Sequence, residues 1–361
     1  MSVRKRGSSW VAHWTNSEGK RCQQTFRLKS DADSCERQQR DFAKKGIPST
    51  QKPNKQTVEV VYESWILSKR NLKPKTVIGY QSLWKTVVGP RWGNVRLTHV
   101  LLSDVKFWTA NCETSTGKKI GSSRIVQGYT VLTNVLDHAV DQGLLIDNPA
   151  RGNPGSRKNF LPKKTSSDSR NILNREELKL LANNCGGAKD LVLLLGTVGL
   201  RFNEAAALKG ADLDFDRGII RIARTFSDIN GHIIEQSPKN GKVREVPIPD
   251  SLRQNLLSRK IASGSEGYLW TSANGAPLRY SNFRTRVWKP ALIASGIEKP
   301  FTIHDLRHTS ASWLVQHGCK IALLAKMLGH SDASFTLRCY THLFDDDMEA
   351  LSLLINRADS A

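Results

Sequence analysis

No apolar run in this chain is long enough to span a bilayer, which removes the helical membrane-spanning classes. The N-terminal stretch MSVRKRGSSW is basic but lacks the apolar core of a secretory signal. No basic amphipathic anchor or lipidation motif stands out, so a membrane is not an expected partner. Cysteine is sparse: Cys22, Cys35, Cys112, Cys185, Cys319 and Cys339 are scattered with no CxxC pair. That pattern argues against a disulfide framework and for free thiols in a reducing cytoplasm. Internal repeats and low-complexity tracts are lacking too. Acidic residues fall well short of basic ones, 33 against 54, leaving a formal net charge of +21 over 361 residues. An excess of that size points to a polyanionic partner, with nucleic acid first among the choices.

The length allows two or three domains with sizeable cores, and the pattern along the chain divides into three segments and a linker. Residues 1–55 hold SSWVAHW and KRCQQTFRL, β-prone runs on either side of NSEGK, which reads as a hairpin. Val3–Arg6 adds a third strand, and Ser30 is positioned to cap a helix that ends before Gly46. The result is a small basic sheet-plus-helix module, suited either to a DNA groove or to a solvated interaction surface. Residues 56–151 read as wholly helical, with helices over Thr57–Lys69, Lys75–Val88, Ser103–Asn111 and Ser122–Gln142. In the last of these, Ile125, Tyr129, Leu132, Leu136 and Ala139 recur at helical spacing and form a core-facing stripe. Contact with DNA would fall to the nearby cations Lys69, Arg70, Lys73, Lys75 and Arg124. Gly152–Ser169, rich in glycine, proline, serine and cations, is a linker.

Residues 170–361 are mixed. Asn174 caps NREELKLLANNC, DLVLLLGTVGL is a buried helix, and RGIIRIAR, HIIEQSP and REVPIP make a small antiparallel sheet. Helices dominate from Ser251 onward. The expected class is therefore multidomain α+β: a small sheet-plus-helix domain, an all-helical domain, and a mainly helical domain with a small sheet.

Polar sites interrupt the structural pattern of this last segment. Arg201 and Glu204 lie in GLRFNEAAALKG, and Lys239 lies in the turn of SPKNGKVREVPIP. In FTIHDLRHTS, residues His304, Arg307 and His308 share a helical face. A metal site there competes with an anion site. HDLRH lacks the glutamate of HExxH, and the guanidinium between the imidazoles repels a cation. In LGHSDASFTLRCYTH, Gly329 and His330 close one helix, Ser331 or Ser334 opens the next, and Tyr340 follows. Each site alone has an ordinary reading as an ion pair, an exposed lysine or a helix cap. Together they suit phosphodiester chemistry. Two arginines offset charge on the non-bridging oxygens, a phenol is the nucleophile, and a lysine protonates the leaving alkoxide. No carboxylate pair among them would hold a divalent metal.

TVGLRFNE, PKNGKVREVPI, HDLRH, LGHSD and CYTH, in that order, resemble the tyrosine recombinases of the phage integrase family. The helical segment, ending VLTNVLDHAVDQGLLIDNP, is similar to the family's core-site-binding domain, and residues 1–55 to its arm-site-binding domain. The resemblance implies that Arg201 and Arg307 clamp the scissile phosphate and that Lys239 protonates the departing 5′-hydroxyl. It implies that His304 exchanges a proton with Tyr340, that His330 bonds a phosphate oxygen, and that Tyr340 forms a 3′-phosphotyrosine. Glu204 and His308 would support the arginines. The expected partner is double-stranded DNA at core and arm attachment sites. Four protomers would act through a Holliday junction in a bacterial cytoplasm, with no cofactor, metal or ATP. An excisionase and a host DNA-bending protein are further partners compatible with the resemblance. A chromosome-dimer resolvase, a type IB topoisomerase and a non-catalytic DNA-binding protein on the same fold are the competing readings.

Overall fold

The structure is a computed structural model. It describes residues 2–15, 19–44, 56–113, 117, 119–151, 160–162, 171–229, 231–238, 241, 243–330, 332–340, 352, 355–356 and 359. The architecture is α+β in two compact units, residues 1–166 and 167–361. The boundary expected at residue 55 lies outside the described residues, as does the linker Gly152–Ser169 except for 160–162.

The first unit opens with an antiparallel sheet ordered β1 (Ser2–Arg6), β2 (Ser9–Thr15), β3 (Arg21–Phe26). Alternation along the strands sends Ala12 and Trp14 to one face, where they pack on Ala32 and Cys35 of α1 (Lys29–Lys44). The pairing register places Arg4, His13, Arg21 and Gln23 on the opposite face. Ser30 sits inside the first turn of α1 rather than at its cap. The helices α2 (Val58–Ser68), α3 (Pro74–Leu83), α4 (Gly89–Trp92), α5 (Leu102–Ala110) and α6 (Ser122–Asp141) follow. Ile125, Tyr129, Leu132, Leu136 and Ala139 are all buried, as their spacing requires. The helix expected over Lys75–Val88 is interrupted by a π turn at Trp84–Val88. Pro90, lacking an N–H, cannot donate to the carbonyl four residues back, and its ring crowds that carbonyl. The wider turn lets Trp84 stack on Tyr62, with ring centroids 3.9 Å apart.

The second unit begins with α7 (Arg175–Asn184), where Asn174 and Glu177 form a reciprocal capping box. Next come the apolar α8 (Lys189–Val198) and the single turn α9 (Phe202–Ala205). The strands are β4 (Leu213–Asp214), β5 (Ile219–Ile222), β6 (Thr225–Ile229), β7 (His232–Gln236) and β8 (Arg244–Pro247). They form not one sheet but two, a three-stranded β4–β5–β8 and a separate β6–β7 hairpin. The break falls at Arg224, whose side chain leaves the ladder to pair with Asp212 and Glu235. Helices α10 (Asp250–Ser263), α11 (Tyr280–Phe283), α12 (Lys289–Ala294), α13 (Asp305–Gln316), α14 (Ile321–Leu328) and α15 (Ala333–Tyr340) complete the unit. A second π turn, Arg284–Trp288, again stands just ahead of a proline, Pro290. Among the described residues no helix is long and apolar enough to cross a membrane. None of the six cysteines is joined in a disulfide.

Candidate active site

Helix α8 is apolar on almost every side because it runs through the core of the second unit, and it ends abruptly at Gly199. Gly199 has φ +72°, and a Cβ there would stand 3.0 Å from Leu328 and 3.1 Å from the Ser310 hydroxyl. Only glycine makes this turn easily. The turn delivers Arg201 to the N-terminus of α9, where Glu204 reaches back to its backbone N–H at 3.1 Å. The Arg201 guanidinium donates to the same carboxylate at 2.9 Å.

Glu204 is 2% exposed and accepts a second, bidentate pair from Arg244 at 3.1 and 2.7 Å. Burial alone would raise its carboxyl pKa. The Arg244 hydrogen bonds and the Arg244 and Arg201 charges outweigh that and hold it below its usual value. Arg244 Nε also donates to the Met327 carbonyl at 2.8 Å, tying β8 to α14.

Arg307 is 3% exposed, and its hydrogen bonds among the described residues are to two carbonyls and an imidazole. Nη1 donates to the Gly199 carbonyl at 2.8 Å, and Nη2 to the Leu328 carbonyl at 2.6 Å and to His330 Nε2 at 2.9 Å. Both carbonyls close helices, α8 and α14, where the helix dipole is negative. Those partial charges orient the guanidinium without neutralising it. Burial, then the Arg201 charge, lowers its pKa to about 9.

His330 follows Gly329, the left-handed cap of α14. Arg307 can only donate, so His330 Nε2 accepts and Nδ1 carries the hydrogen, which it donates to the Thr336 hydroxyl at 2.7 Å. Burial, with the Arg307, Arg201 and Arg244 charges, lowers the His330 pKa to about 4. His304 stands at the N-terminus of α13 and is exposed. Its protein surroundings and the nearby Arg307 charge depress its pKa. Its ring meets that of His308 edge-on, 5.2 Å between centroids.

Tyr340 ends α15 and is 2% exposed, packed among Ala311, Val315, Leu324 and Leu328. Its hydroxyl lies 3.0 Å from His308 Nδ1. Ser331 lies outside the described residues, while Ser334 falls inside the first turn of α15 rather than ahead of it, its N–H donating to Asp332 at 2.8 Å.

The structure therefore gathers Arg201, His304, Arg307, His330 and Tyr340 from the ends of α8, α13, α14 and α15, while Lys239 lies outside the described residues. It adds Arg244 and Thr336, which the sequence pattern did not single out, and brings His308 to the phenol. The alternation of β8, REVP, carried a signal for Arg244: its first residue falls on the face opposite Glu245. Among the described residues no group of His, Cys, Asp and Glu side chains is arranged to hold a metal. The arrangement can seat a tetrahedral anion against two guanidinium groups, with a buried phenol close enough to Arg307 to act on its charge.

Comparison with known proteins gives these features a context. Residues 171–347 match the family model described as the phage integrase family. A tyrosine recombinase XerC-like protein of Caldanaerobacter subterraneus is 31% identical over 243 residues, 59% of this chain and 60% of that protein. The chain thus spans less than two thirds of that relative's length. A probable integrase of prophage ps2 from Lactococcus lactis is 24% identical over 338 residues, 86% of this chain and 85% of the relative. Among solved structures, the Tn1549 transposon integrase in complex with transposon right-end DNA superposes with a TM-score of 0.69 at 23% identity, covering 82% of this chain and all of that one. A lambda integrase tetramer bound to a Holliday junction gives 0.59 at 17% identity, covering 94% of each chain.

Proposed function

Because this chain belongs, through residues 171–347, to the phage integrase family of tyrosine recombinases, we propose that it is a site-specific DNA recombinase that integrates or excises a mobile element. The observation that carries this reading is Arg307: a buried guanidinium held by carbonyl oxygens, near enough to Arg201 and to the Tyr340 phenol for both to act on its charge. Such a site is short of one anion, and a scissile phosphate supplies it.

In this reading Arg201 and Arg307 clamp the non-bridging oxygens, and His330 donates to one of them from Nε2 after its hydrogen moves there from Nδ1, with the Thr336 hydroxyl then donating to Nδ1. Tyr340 Oη attacks phosphorus, the Oη–P bond forms, and the P–O5′ bond breaks. Lys239 gives the departing 5′-oxygen its proton, and His304 is the sequence-level candidate for the phenol's proton. The 3′-phosphotyrosine keeps the bond energy, so rejoining to a second strand needs no ATP. Four protomers on two DNA sites would pass through a Holliday junction. The helical segment would hold the core site through Lys69, Arg70, Lys73, Lys75 and Arg124. The sheet face bearing Arg4, Arg21 and Gln23 would hold the arm site.

Covalent trapping tests the proposal. The full chain is mixed in EDTA with nicked DNA from beside its own gene, and denaturing gels are read for attached label. The expected result is an adduct with the wild type and none with Tyr340→Phe. Binding in a gel shift with no adduct on any core-site fragment would leave a DNA-binding protein on a recombinase fold.

A further inference from the structure

The strand-transfer reading leaves open which group receives the phenol's proton, and the geometry points to His308: we propose that its Nδ1 is the base that deprotonates Tyr340 during cleavage. The inference rests on that reading and deepens it. His308 Nδ1 and Tyr340 Oη stand 3.0 Å apart across two different helices, α13 and α15. Tyr340 is 2% exposed, so bulk water is a poor acceptor for its proton. The ring of His304 meets that of His308 edge-on, 5.2 Å between centroids, on the far side of a hydrogen bond that His308 itself shares with the phenol. The separation of His308 from the phenol is already within the range required of a general base.

The backbone around His308 is braced on both sides. Arg307 is fixed by the Gly199 and Leu328 carbonyls, and the Thr309 hydroxyl donates to the Asp305 carbonyl at 2.9 Å while accepting the Leu173 N–H at 3.2 Å. The imidazole is thus held on a rigid helix and aimed at the phenol.

The proton balance closes within the site. Tyr340 Oη–H passes its proton to His308 Nδ1, whose ring must enter the step as the Nε2–H tautomer. The oxygen's electron pair forms the bond to phosphorus, and the P–O5′ pair leaves on the 5′-oxygen, which is protonated from its own side. In the reverse step the 5′-hydroxyl attacks the phosphotyrosine, and the His308 imidazolium returns its proton to Tyr340. Among the described residues, titratable groups that act on His308 include His304 at the N-cap of its own helix, Tyr340 from α15, and His330 from the turn between α14 and α15.

The test compares wild type, His308→Asn and His308→Ala, as full chains, on the nicked attachment-site DNA that gives the adduct above. Two versions of the DNA are used, with oxygen or sulfur at the bridging 5′ position. A thiolate leaves without a proton donor, so the sulfur substrate reports on the nucleophile's side alone. Asparagine keeps a hydrogen-bonding group toward the phenol but is not basic. Adduct rates are normalised to DNA bound in a gel shift. Both variants are expected to form adduct about 100-fold more slowly on both substrates, within the usual range for losing a general base. Their rates should lose the wild type's rise with pH, and imidazole in the buffer should partly restore His308→Ala. A wild-type rate in His308→Asn overturns the inference, because it reduces His308 to a positioning role. A defect that disappears with the sulfur substrate also overturns it, because it moves His308 to the leaving-group side. No adduct from the wild type on either substrate would overturn the recombinase reading itself, and this inference with it.

Discussion

At the scale of single residues, the site is a balance of cations around one carboxylate. Lysine in place of Arg307 keeps the charge but cannot bridge two carbonyls and a phosphate with one planar fork. Arg307→Lys is expected to cut adduct formation by about 100- to 1,000-fold, as losing an oxyanion donor does, with DNA retention in gel shifts nearly unchanged. Glu204 and Arg244 are 2% and 8% exposed at their side chains, so their ion pair is a buried one. Removing one partner strands the other's charge, and Glu204→Ala should cost about 3–5 kcal/mol in urea unfolding. His330 provides a pH signature. Its pKa in the fold is about 4, against roughly 6.5 in an unfolded chain. Between those values the unfolded chain binds a proton that the folded chain does not. The stabilisation is therefore complete above about 6.5 and is lost as pH falls toward 4. His304, also depressed, acts in the same direction. Urea midpoints across that range should flatten in His330→Asn.

At the scale of elements, helix ends do the positioning. Gly199→Ala forces a left-handed backbone on alanine and pushes Cβ against Leu328 and Ser310. A loss of about 1 kcal/mol or more is expected in thermal melts, with weaker adduct formation because the carbonyl that holds Arg307 shifts. Much at this scale was legible in the sequence. Asn174 announced the cap of α7, which Glu177 completes as a capping box, and the stripe from Ile125 to Ala139 fixed the buried face of α6. Both depend on residues near each other in the chain. The π turns were missed, although Pro90 and Pro290 each stand at the same offset beyond one. A helical period counted at 3.6 residues per turn passes over a single wide turn. The split of the sheet was missed because it depends on Arg224 reaching Asp212 and Glu235, a choice made by tertiary partners. His308 read as a support for the same reason. Its spacing placed it on the face of His304, but only the packing of α15 on α13 shows which imidazole meets the phenol.

At the scale of the whole molecule, the excess of 54 basic over 33 acidic residues should make DNA affinity fall steeply with salt. A log–log plot of the binding constant from low to moderate salt should be linear, with a slope set by the number of phosphates contacted. A flat plot would remove polyanion binding from the account. The carbonyls of Gly199 and Leu328 have a consequence of a different kind. Every peptide has a carbonyl, whatever its codon, so no missense change can delete these two acceptors. In a saturation screen for recombination-defective alleles, the Arg307 pocket should therefore yield hits at its donors and at its glycines. Leu328, whose oxygen bonds Arg307 directly, should tolerate methionine or isoleucine about as well as an ordinary core position does.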